Sequence, residues 1–92
     1  MNAERQLVKS LLHIAASQGN LVKVESLVRD GVNVDEVVKE DGTTPLFLAA
    51  QLGHLEVVQY LVQQGADKNK ATNDGFTPLF SAALKGHLAV VQ

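Results

Sequence analysis

The feature that most constrains this chain is that it repeats itself. Sliding the 92-residue sequence past itself by 33 positions lays residues 41–59 over residues 74–92, with identity at 14 of the 19 aligned positions. The matches include turn residues as well as apolar ones, so two helices that merely share apolar character would not produce them. A shift of 34 lays Leu12, Ala15, Ala16, Gly19, Leu21, Val24, Leu27, Val28 and Gly31 over Leu46, Ala49, Ala50, Gly53, Leu55, Val58, Leu61, Val62 and Gly65. The chain therefore reads as a single domain, 1–92, made of three units at about 1–40, 41–73 and 74–92, the third shorter than the period. A period of this length is the mark of a solenoid, in which each unit shelters its apolar face only against its neighbours.

Within a unit, Leu46, Ala49, Ala50 and Gly53 recur at i, i+3, i+4 and i+7, one narrow apolar stripe of a short inner helix. The alanines allow close helix approach, and Gly53 ends the helix where a left-handed residue costs little. A second helix should follow at once, carrying Leu55, Val58, Leu61 and Val62 inward, exposing Glu56, Gln59 and Gln63, and stopping at Gly65. Thr44 before Pro45 gives the inner helix a cap and a first residue that lacks the amide hydrogen it would not use there, and Thr77-Pro78 repeats the device. Asp41-Gly42 and Asn73-Asp74-Gly75 are turn formers that suit a tight hairpin. The expected fold is all-α, an α-solenoid of stacked helix-turn-helix units joined by short β-hairpin-like loops.

The motifs resemble the ankyrin repeat family, whose pattern runs Asp-Gly-x-Thr-Pro-Leu, Ala-Ala, Gly-His, Val-Val, Leu and Gly-Ala-Asp. Unit two follows it throughout, from Asp41-Gly42-Thr43-Thr44-Pro45-Leu46 through Ala49-Ala50, Gly53-His54-Leu55, Val57-Val58 and Leu61 to Gly65-Ala66-Asp67 and Asn69. Unit three follows it as far as Gln92, and unit one keeps Leu12-His13-Ile14-Ala15-Ala16, Gly19-Asn20-Leu21 and Gly31-Val32-Asn33. The histidine usual after Pro-Leu in the family is Phe47 and Phe80 here, so the hydrogen bond it makes between loops is expected from His13 alone, with the phenylalanines filling core.

The two ends differ. Unit one has Lys9-Ser10-Leu11 in place of the Thr-Pro start and Lys23 where later units have Val57 and Val90; with Asn2 as a helix cap this suits a terminal capping repeat. The third unit breaks off inside its outer helix with Leu88 and Val91 apolar, which points to a fragment of a longer array or to self-association through the open end.

A search for chemistry finds little. His54 and His87 occupy equivalent places in adjacent units, on the order of 10 Å apart, too far to share a metal whose ligands lie about 2 Å away. Both are instead expected to help start outer helices. Ser10, Ser17, Ser26 and Ser81 lack the turn that arms a nucleophile, and Asp35, Glu36, Glu40 and Asp41 lack calcium-loop spacing and read as a solvated acidic loop. Glycines fall singly at helix ends, which excludes a phosphate cradle. No catalytic residue, metal or cofactor is expected. Nor does a net charge of −2 favour nucleic acid or an anionic membrane. The start Met1-Asn2-Ala3-Glu4-Arg5 is unlike a signal peptide, so an intracellular, cytoplasmic setting is expected.

What remains is a binding module for another protein. Units two and three differ at Thr43/Phe76, Leu48/Ser81, Gln51/Leu84, Leu52/Lys85 and Glu56/Ala89. Four of these five pairs fall at hairpin tips or on inner helices, which line the concave groove that the resemblance implies. A constant scaffold with changing surface side chains is how repeat proteins distinguish partners. The expected face has Leu52, Leu84 and Phe76 as apolar anchors, with Ser17, Gln18, Lys39, Glu40, Asp41, Thr43, Gln51, Asn73 and Lys85 around them.

Overall fold

The computed structural model describes residues 11–37 and 42–84, apart from the side chains of Ser81 and Leu84. Among the described residues, five helical segments follow one another: α1 over residues 11–18, then α2 (Leu21–Arg29), α3 (Pro45–Gln51), α4 (Leu55–Gln63) and α5 (Pro78–Leu84). No strand occurs among the described residues.

Local chemistry marks the starts of α2, α3 and α5 and the ends of α1 to α4. The Thr44 hydroxyl accepts the Phe47 amide at 3.1 Å with Pro45 as first residue of α3, and Thr77 accepts the Phe80 amide at 3.2 Å at the start of α5. Asn20 caps α2 through a 3.1 Å bond from the Lys23 amide. Every helix from α1 to α4 then ends in the same way. The glycine amide bonds back to the carbonyl three residues before it (Gly19 to Ala16, Gly31 to Val28, Gly53 to Ala50, Gly65 to Val62), and the next amide bonds to the carbonyl one residue further back (Asn20 to Ala15, Val32 to Leu27, His54 to Ala49, Ala66 to Leu61). That double bond pattern needs a left-handed residue, which the glycines supply at φ of 70° to 101°. The loop before α5 closes as a hairpin-like turn, the Thr72 amide donating to the Phe76 carbonyl at 2.9 Å and the Gly75 amide to the Thr72 carbonyl at 2.8 Å, without extending into a ladder.

The helices stack as antiparallel pairs. α3 packs on α4 within its unit and on α5 of the next, while α2 packs on α4 across the first two units. Leu12, Ala15 and Ala16 of α1 share one buried cluster with Leu46 and Ala49 of α3, and Val24, Leu27, Val57 and Leu61 of the outer helices complete it. Burial of a leucine in such a cluster contributes roughly 1.5–3 kcal/mol, and Leu12, Leu46 and Leu61 are all essentially solvent-free.

The outer helix departs from expectation at one pair of positions. In α4 it is Val57 that is fully buried, while Val58, Leu55 and Val62 are only half-buried; Glu56, Gln59 and Gln63 are exposed as expected. In α2 the order reverses, with Val24 buried and Lys23, the counterpart of Val57, exposed. The first residue of the pair faces the preceding unit and the second faces the following one, so each is buried only where α2 and α4 meet. Lys23 thus sits on the side of unit one that faces away from unit two. The proposed Asn2 cap and the open-end residues Leu88 and Val91 lie outside the described residues.

Candidate interaction face

Side-chain hydrogen bonds tie the first unit to the second. His13, buried in α1, donates from Nε2 to the Thr43 carbonyl of the next unit at 2.9 Å. His54 donates from Nε2 backward to the Ser17 carbonyl, also at 2.9 Å. The Asp35 carboxylate accepts the Asp67 amide through both oxygens, at 3.0 and 3.2 Å. Asn33 and Asp67 each close a local turn by accepting the amide two residues on, from Asp35 and Asn69, at 2.9 Å in both cases.

These ties correct three expectations. His54 makes no side-chain cap for α4; its ring reaches across to unit one instead. Asp35 is not merely part of a solvated acidic loop, because it holds the backbone of the following unit. Thr43 presents no surface, since its side chain is only 4% exposed beneath the loop that His13 pins.

The remaining expected residues divide by placement. Leu52, at the end of α3, is 48% exposed, and Gln18, its counterpart one unit earlier, is also exposed. Ser17 and Gln51 are half-buried counterparts one position before them. Ile14, which the sequence comparison passed over, is 48% exposed on α1 in the place that Leu48 holds on α3. Ile14 and Gln18, like Leu48 and Leu52, stand four residues apart and so lie on one side of their helices. The structure therefore brings Ile14, Ser17, Gln18, Leu48, Gln51 and Leu52 onto the exposed side of two adjacent inner helices. Asn73 is exposed, with its side chain packed over Gly42. Lys39, Glu40, Asp41 and Lys85 lie outside the described residues, as does the side chain of Leu84.

Phe76, expected as an apolar anchor, is exposed at the hairpin tip. Its ring stacks on Phe80 of its own unit at 5.4 Å and 10°, while remaining 43% exposed. Such a pair contributes about 0.5–1.5 kcal/mol beyond area burial. Phe80 itself is half-exposed and so does not fill core as expected, whereas its counterpart Phe47 is 8% exposed because α5 packs on α3. Leu79 is likewise exposed where its counterpart Leu46 is buried. On the outer side, Tyr60 is partly buried and packs against the core.

The Ser17 hydroxyl donates to the Ile14 carbonyl at 2.7 Å, an ordinary helical back-bond. Among the described residues no three His, Cys, Asp or Glu side chains converge on a possible metal site, and no helix is long and apolar enough to cross a membrane.

The sequence held a signal for the His54 tie that spacing within one unit did not reveal. A Cβ placed on Gly19 would lie 2.5 Å from His54 Nδ1, so glycine in one unit and histidine in the next form one contact. That contact appears only when units are compared across their junction.

Comparison with known proteins gives a consistent result. The family model described as ankyrin repeats, in three copies, matches residues 6–92. An inactive serine/threonine-protein kinase of Mus musculus is 44% identical over 62 residues, covering 67% of this chain and 4% of that protein. A putative ankyrin repeat protein of Fowlpox virus is 38% identical over 60 residues, 65% of this chain and 15% of the relative. Ankyrin repeat domain-containing protein 40 of Homo sapiens is 38% identical over 74 residues, 78% of this chain and 20% of its own length. The chain thus spans a fifth or less of the length of these relatives.

Proposed function

Because this chain belongs to the ankyrin repeat family, whose repeats generally serve as protein-interaction modules, we propose that it is a non-catalytic module binding another protein through the exposed side of its inner helices and hairpin tips. The observation that carries this reading is the placement of Leu52 and Phe76. Both are large apolar side chains, 48% and 43% exposed, on elements otherwise held rigid by caps, glycine stops and loop ties. A preformed surface loses little conformational entropy on binding, so a few anchors can supply the affinity. Leu52→Ala and Phe76→Ala are each expected to weaken a partner roughly tenfold, measured by titration calorimetry, with the circular dichroism spectrum unchanged. Unaltered affinity in both variants overturns the assignment of the face.

A second reading rests on α5. Leu79 and Phe80 are exposed where Leu46 and Phe47 are buried under α5. That favours a further repeat stacked on α5, with this chain acting as the capping segment of a longer array, or self-association there in its place. Extension by a polar-ended completion of the third unit is expected to raise the melting temperature by several degrees and to abolish any self-association seen by sedimentation. An unchanged melting temperature counts against it.

A further inference from the structure

Three positions record whether a unit has a neighbour stacked after it. In unit one Leu12, His13 and Ala16 are buried, and in unit two so are their counterparts Leu46, Phe47 and Ala50. In unit three the same positions, Leu79, Phe80 and Ala83, are all exposed, and Phe76, stacked on Phe80, extends the apolar surface. This side of α5 therefore continues the stack in which α5 itself packs on α3.

The face also lacks the tie that gives stacking a direction. Where unit one meets unit two, His13 donates forward to the Thr43 carbonyl and His54 donates back to the Ser17 carbonyl. A donor in the place of His13 asks for a neighbour that brings a carbonyl, whereas Phe80, its counterpart in unit three, makes no such demand. The polar groups beside Phe80 are already partnered: the Thr77 hydroxyl accepts the Phe80 amide, and the Phe76 amide and carbonyl are both bonded to Thr72. Two copies of this face can bury each other without orphaning any of these groups.

The opposite end of the chain does not match it. Lys23 stands on the side of unit one that faces away from unit two, and head-to-tail stacking of separate chains would take its ammonium out of water. Resting on the second reading above, that this side of α5 is open to packing, we infer that its occupant is a second copy of this chain, paired α5 to α5 about a two-fold axis. Such a contact closes at two copies and grows no further. With the two helices antiparallel, the exposed Asp74 before one α5 lies toward the end of the other α5, which Lys85 follows in sequence, so opposite charges flank the apolar centre.

The test is sedimentation velocity of the full chain from low to high micromolar concentration. A reversible monomer–dimer equilibrium is expected, with its Kd raised roughly tenfold or more by Leu79→Glu and by Phe80→Gln, and the circular dichroism spectrum unchanged. The chain has no cysteine, so Ala83→Cys adds a single thiol through which a short bis-maleimide should link two copies, while Lys23→Cys chains should stay unlinked. Association that grows past the dimer, survives both α5 substitutions, or links Lys23→Cys as readily as Ala83→Cys overturns the inference. A chain that stays monomeric overturns it too; if completing the third unit still raises the melting temperature, the second reading stands, and if not, both fall.

Discussion

Leu46→Ala is expected to lower the unfolding free energy by about 2–5 kcal/mol, a large part of what a domain of this size possesses. Leu46 is 2% exposed in α3 and belongs to the cluster that joins Leu12 and Ala15 of α1 to Leu61 of α4. Truncation would leave a void between units rather than inside one. In a solenoid each unit has no other place to put its apolar face, so the surroundings can relax only by losing contact with a neighbour. Urea denaturation followed by circular dichroism checks this. Leu52→Ala, at a position just past the buried alanines but half exposed, is the control and should shift stability by less than about 1 kcal/mol. Similar losses in the two variants would show that the inter-unit cluster does not dominate stability.

Gly19→Ala is expected to cost about 2–4 kcal/mol, from two separable causes. The residue sits at φ +70°, where an L side chain costs on the order of 1–2 kcal/mol. In addition the new methyl would fall 2.5 Å from the His54 ring, driving that ring off the Ser17 carbonyl and removing a hydrogen bond worth about 1 kcal/mol. A double-mutant cycle separates the two. In a His54→Ala background the clash and the bond are already gone, so Gly19→Ala should there cost only the backbone portion. Strict additivity of the two substitutions would mean the Gly19–His54 contact carries no energy.

Part of the candidate face could be seen from the sequence because the units act as internal controls for one another. Comparing aligned positions singled out Leu52 and Phe76, both of which are exposed. The same comparison misplaced Thr43, because a difference between two units does not say whether the loop beneath is pinned, and here the His13 ring pins it. It also passed over Ile14, since unit one was compared only for its core residues. Phe80 was assigned to the core by analogy with Phe47, yet burial at that position depends on whether another helix packs over it, as α5 does over Phe47.

The sequence by itself determined the period, the helix starts at Thr44-Pro45 and Thr77-Pro78, the stops at Gly53 and Gly65, and hence the stack of helix pairs. Those features are local: a cap, a proline or a left-handed glycine acts on amides within a few residues of itself, and repetition then copies the result along the chain. Only the tertiary structure decided which of Val57 and Val58 is buried, where the His54 ring bonds, and that Asp35 holds the Asp67 amide. Each of these depends on what lies across a junction roughly one full repeat away in sequence, and hydrophobic pattern within a unit does not distinguish the side of a helix that meets the preceding unit from the side that meets the next.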